Sequence, residues 1–72
     1  MHNWETDPRG ISECLIDWEA QHGWSGAEAA RQLGAPYLTY RDWRGGRRKP
    51  SPELMLRKLM RAIDLITKLA PN

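Results

Sequence analysis

Five of the chain's eleven lysines and arginines fall between Arg41 and Lys49, and the most direct chemistry of such a cluster is to hold an anion. Arg47, Arg48 and Lys49 follow one another immediately after Gly45 and Gly46. The overall charge of +2 hides a strong asymmetry. Residues 1–36 carry two basic and six acidic side chains, a net of −4, whereas residues 37–72 carry nine and three, a net of +6. A clustered basic stretch of this kind is the electrostatic footprint expected for polyanion binding. Other chemistry is less well supplied. Glu13, Asp17 and Glu19 lie close in sequence, but no nucleophile, metal-ligand set or phosphate loop accompanies them. They are expected on a solvated face. Cys14 is the only cysteine, so no intramolecular disulfide can form. His2 and His22 are isolated, and no Cys/His pair has ligand spacing. The chain is therefore expected to be no enzyme, and to use no metal, no cofactor and no small-molecule ligand.

The elements that must position the basic cluster run from Ser25 to Pro50. Ser25 suits a helix N-cap, and Glu28 three residues later completes a capping-box pattern. Ala27 through Leu33 are mostly good helix formers, and Gly34 stops the helix. A second helix is predicted from about Pro36 to Arg44, closed by Gly45–Gly46. At about 100° per residue, Pro36, Tyr40 and Trp43 share its apolar side, which is assigned to the core. Leu38, Arg41 and Asp42 then point away, flanked by Tyr37 and Thr39. An exposed face of this composition suits the major groove. Arginine pairs bidentately with guanine, aspartate accepts from cytosine, and Leu or Thr methyl groups meet the thymine methyl.

This stretch resembles the helix-turn-helix of the Cro/repressor-like (XRE) family of DNA-binding regulators. The likeness rests on Ala30 at the small position of the first helix, Leu33 before the turn, Gly34 in it, then Thr39, Tyr40 and Trp43. The tail Trp43-Arg44-Gly45-Gly46-Arg47-Arg48-Lys49-Pro50 completes it. In the family that tail usually reads Trp-Glu-any-Gly-basic-basic-any-Pro. Arg44 stands where the Glu is usual, and Pro36 where a Ser or Thr cap is commoner. The resemblance covers about residues 8 to 60. It implies an all-α, lambda-repressor-like domain of four helices, or five if the last one breaks near Asp64.

A single domain, residues 1–72, is all this length allows. Residues 1–6 are expected to be a flexible lead, with Trp4 folding back on the core. Asp7-Pro8 reads as a helix start, and Ile11, Cys14, Leu15 and Trp18 make one apolar stripe ending at His22, before Gly23. Trp24, just before the Ser25 cap, is placed for a hydrophobic staple. After the basic exit, Ser51 and Pro52 read as the cap and first residue of a last helix reaching Leu69, with Pro71 as the stop. Over 51–69 that helix would be roughly 28 Å long. It carries more apolar surface than one small core needs, so Met55, Leu56, Leu59, Met60, Ile63 and Ile66 are assigned to a homodimer interface. Arg57, Lys58, Arg61 and Lys68 are placed on its remaining surface, Arg57 and Lys58 within reach of phosphate.

The expectation is a sequence-specific regulator of transcription that binds double-stranded DNA as a homodimer. Tyr37, Leu38, Thr39, Arg41, Asp42 and Arg44 would contact bases, with Arg41 foremost. Ser25 and Gly26, at a helix N-terminus, and Arg47, Arg48 and Lys49 would hold phosphates. Two such units on a two-fold axis would read a palindrome with half-sites about one turn apart. The resemblance implies a small bacterial or phage repressor or autorepressor; anti-CRISPR-associated regulators and antitoxins are two such groups. The polar, acidic start and the lack of a long apolar run predict no leader, no membrane span and a cytoplasmic location. A different class stands beside it: a protein–protein adaptor or antitoxin acting through residues 51–69, with weak DNA binding. Single-stranded nucleic-acid binding would need exposed aromatics, and only Tyr37 is free to serve.

Overall fold

Apolar residues spaced three and four apart, punctuated by glycine, make four helices. In the computed structural model, which describes residues 2–69 and side chains as far as Lys68, these are α1 (Ile11–His22), α2 (Gly26–Leu33), α3 (Tyr37–Arg44) and α4 (Glu53–Leu69). All regular structure among the described residues is helical, as the sequence predicts. The last helix runs unbroken past Asp64. Gly23 and Gly34 end α1 and α2 in the left-handed conformation, φ 68° and 70°, which a side chain would disfavour. The stop expected at Pro71 and the side chain of Leu69 lie outside the described residues.

The predicted stripe of α1 forms the centre of the core. Ile11, Cys14, Leu15 and Trp18 are buried with Ala29 and Ala30 of α2, Tyr40 of α3, and Leu56 and Met60 of α4. Each of the large aliphatic side chains contributes about 2 kcal/mol by leaving water. Helix α1 packs on α3 and α4, and α2 packs on the same two helices. Trp24 packs against this core, with its ring edge-on to Trp18 and stacked on His22.

Several expectations are corrected. Trp4 folds back on the core as expected, fully buried, with its indole N–H donating to Asp64 Oδ2 at 2.7 Å, so the lead is packed there and not loose. Arg57 is not on the surface. It is buried, and its guanidinium donates to the carbonyls of Trp4, Asp7 and Arg9 at 2.8, 3.2 and 2.7 Å. One α4 side chain thereby straps down the segment before α1. Helix α1 starts at Ile11, behind Gly10, and not at Asp7-Pro8. The Asp7 carboxylate is used elsewhere: it accepts the Arg9 backbone N–H and guanidinium, a local bond that competes with helix formation. That guanidinium, and then the backbone N–H, hold the Asp7 carboxyl well below the usual range. Likewise α4 begins at Glu53, with Ser51 and Pro52 in the preceding turn. Glu28 does not return a bond to the cap. It accepts from Arg31 and Gln32.

The faces of α4 divide differently from expectation. Leu56 and Met60 point into the protomer's own core and Ile63 is half-buried, so the first two offer no surface to a partner. Leu54, Met55, Leu59, Leu65 and Ile66 are exposed.

Candidate nucleic-acid interface

Ser25 starts α2 as its residue type predicts, its hydroxyl accepting the Glu28 N–H at 3.1 Å. At the other end Gly34 reverses the chain, and the Ala35 N–H reaches back to the Ala30 carbonyl at 3.0 Å. Pro36 caps α3 without a side-chain bond. It is exposed, so it is not part of the apolar side assigned to it. Tyr40, fully buried, and Trp43, half-buried, anchor α3.

A polar contact locks this anchorage, and sequence reasoning missed it. Glu19 of α1 does not sit on a solvated face; it is buried. Its Oε2 accepts the Tyr40 hydroxyl at 2.5 Å and Arg44 Nε at 2.7 Å. Burial first, and then this carboxylate, push the Tyr40 phenol well above its ordinary range. The same carboxylate raises the Arg44 guanidinium. Ser12 adds a second grip, its hydroxyl donating to the Arg44 carbonyl. A signal for Glu19 was present: it lies four residues after Leu15 and eight after Ile11, on the apolar stripe. A carboxylate there needs a buried partner.

With α3 so held, Leu38 is 63% exposed and Tyr37 51%. Arg41 is exposed and Asp42 half-buried, with 3.7 Å between guanidinium and carboxylate. Tyr37, Arg41, Asp42, Arg44 and Arg47 line one cleft of about 490 Å3 beside Gly26, at the start of α2. The predicted base-contacting residues Tyr37, Arg41, Asp42 and Arg44 are thus brought together. Leu38 and Thr39 do not line this cleft. Thr39 is half-buried and lines a groove of about 480 Å3 on the other side, with Trp43, Met55 and Leu59.

The basic exit is folded onto the end of α3. The N–H groups of Arg47 and Arg48 both donate to the Asp42 carbonyl, at 2.9 and 3.2 Å, after a turn at Gly46 with φ 78°. The turn splits the triplet. Arg47 faces the cleft with Arg41 and Arg44. Arg48 and Lys49 face a second cleft, of about 580 Å3, at the start of α1. All three are exposed and form no ion pair among the described residues. Ser25 is exposed and Gly26 half-buried, both beside α3. Among the described residues no group of three or more His, Cys, Asp or Glu side chains is placed to hold a metal ion, and no helix is long and apolar enough to cross a membrane.

These features define a four-helix, all-α domain with a cationic edge built from one short helix and the turn after it. Comparison with protein-family models, curated proteins and solved structures found no match to this chain.

Proposed function

We propose that this protein is a sequence-specific regulator that binds duplex DNA, with α2 and α3 as a helix-turn-helix and α3 as the helix entering the major groove. One observation carries the reading. The outward face of α3 presents Tyr37, Leu38 and Arg41 to solvent, while the exposed cations Arg47, Arg48 and Lys49, which form no ion pair among the described residues, stand at its end. A rigid helix with polar and apolar reading groups, bordered by cations, matches the two parts of DNA recognition: base edges specify, phosphates position. Arg41 is the foremost base reader, with Tyr37, Leu38 and Asp42 beside it. Arg47, Arg48 and Lys49, with the backbone N–H groups at Ser25 and Gly26, hold phosphates.

The regulator acts as a homodimer on a palindromic operator, in the cytoplasm, most simply as a repressor. Met55, Leu59, Ala62 and Ile66 support the dimer. They are exposed, and their spacing of four, three and four residues is that of a seam between paired helices. The same face supports the second reading, a protein–protein adaptor or antitoxin that acts through α4. Among the described residues no cluster of His, Cys, Asp and Glu placed to hold a metal accompanies the cationic edge, and binding is the activity proposed for it.

Selection from a random duplex library at about 0.15 M salt tests the reading. Enrichment of a palindrome is the expected result. Retention without enrichment removes base reading, and no retention leaves the adaptor. On an enriched site, Arg41→Ala is expected to relax preference at one base position by about 1–3 kcal/mol, and to leave the salt dependence as it was. Competition titrations with single-base variants of the site give that number. Equal discrimination by wild type and variant would remove Arg41 from the reading set.

A further inference from the structure

Arg44 is held more tightly than any other cation on the α3 edge. Its carbonyl accepts from Ser12, and its Nε donates to the buried carboxylate of Glu19, which Tyr40 also holds. A guanidinium carries five N–H donors in a fixed fork, and Glu19 takes only the one on Nε. Among the described residues neither terminal nitrogen of Arg44 has a hydrogen-bond partner. The side chain is still 43% exposed, and it lines the cleft that Arg41 and Arg47 share. Asp42 also lines the cleft, 3.7 Å from Arg41; among the described residues Arg44 pairs only with Glu19, through Nε, and Arg47 forms no ion pair. What fits between such forks is an oxyanion with several oxygens, because guanidinium and phosphate match in bidentate geometry. The stem of Arg44 is already ordered, so little rotamer freedom is lost when the ligand arrives.

We propose that this cleft holds one phosphate group of a DNA strand, with Arg44 as a phosphate-binding residue in place of a base reader, and Glu19 as the positioning residue that aims it. The inference rests on the DNA-binding reading above and deepens it. Glu19 lies on α1, outside the α2–α3 unit, so the first helix takes part in the interface through a contact that never touches DNA.

The test measures affinity of the full chain for a duplex it retains, from 50 to 200 mM salt. Glu19→Gln adds one unit of positive charge, so simple attraction to a polyanion would tighten binding. Loss of positioning weakens it instead, by roughly threefold. The double variant Glu19→Gln with Arg44→Ala has the wild-type net charge, yet the slope of log affinity against log salt is expected to fall in magnitude by about 0.9. Arg44→Ala alone, which leaves the Tyr40–Glu19 bond in place, gives the same reading should Glu19→Gln fail to fold. Tighter binding by Glu19→Gln, or an unchanged slope in the Arg44 variants, overturns the proposal while wild-type binding keeps the DNA reading intact. Failure of the wild type to bind any duplex removes both. The Arg44 Nε–H NMR signal separates the sources of phosphate. It is expected to shift with duplex; a shift with inorganic phosphate but none with duplex overturns the DNA assignment.

Discussion

Asp64→Asn is expected to destabilise the domain by on the order of 3 kcal/mol, although the two side chains have nearly the same shape. The buried Asp64 carboxylate is the meeting point of three elements. Its Oδ2 accepts the Trp4 indole N–H at 2.7 Å, and its Oδ1 accepts the Trp18 indole N–H at 2.6 Å. His22 Nε2 lies 2.6 Å from that same Oδ1. An indole nitrogen can only donate, so both carboxylate oxygens must be acceptors. The amide of Asn supplies one acceptor and turns a donor toward an indole donor. Either way one buried N–H is left without a partner, and hydrogen bonds to a charged acceptor are lost, at about 1.5–3 kcal/mol each. A chain of 72 residues has a total stability of roughly 4–11 kcal/mol, so this single change removes a large share. For a domain of this size the melting temperature should fall by about 12 °C or more. Thermal melts followed by circular dichroism check the loss, and tryptophan emission should shift to the red as Trp4 loosens. Equal melting temperatures for wild type and variant would show that the two indoles do not depend on Asp64. The exposed ion pairs, such as Arg61 with Glu5, carry far less, because water competes for both partners.

On the proposed DNA-binding reading, replacing Arg47 and Arg48 together with alanine is expected to lower affinity for every duplex about thirtyfold at 0.15 M salt. Each phosphate contact contributes about 0.9 to the slope of log affinity against log salt, by releasing a counterion. Two lost contacts reduce the slope by about 1.8, which amounts to about thirtyfold at 0.15 M relative to a 1 M reference. The loss should be uniform across sequences, because phosphates carry no base identity. Among the described residues neither side chain has an ion pair to lose, and both are exposed, so folding should not suffer. Salt titrations on an enriched and a scrambled duplex check both parts. An unchanged slope would remove the phosphate assignment; a loss confined to one sequence would make these residues base readers. The double variant probes both flanks of the edge at once, since Arg47 and Arg48 face different clefts.

Much of the fold was legible in the residues. Gly23 and Gly34 marked helix ends because only a residue without a side chain takes the left-handed turn readily. Ser25 marked a start because its hydroxyl meets the orphan N–H groups of a helix. The spacing of Ile11, Leu15 and Trp18 gave the core face of α1, and Tyr40 with Trp43 gave that of α3. The outward direction of Leu38 and Arg41 then followed from helical geometry alone. These are all local rules, acting over a few residues.

What stayed hidden was decided by contacts between residues far apart in the chain. Glu19, Arg57 and Asp64 look like surface residues by type, and each is buried because its partner arrives from another element. Glu19 meets Arg44 and Tyr40, Arg57 meets the backbone of residues 4–9, and Asp64 meets Trp4 and Trp18. The faces of α4 were ambiguous for a related reason. Apolar residues surround most of the helix, and only its packing against α1 and α2 selected Leu56 and Met60 for the core and left Met55 and Ile66 outside. The sequence by itself determined where the helices are and which way α3 faces, because periodicity and capping are local. Only the tertiary structure decided which charges hold that helix in place, because Glu19 can accept from Tyr40 and Arg44 only once α1 and α3, far apart in the chain, have packed together.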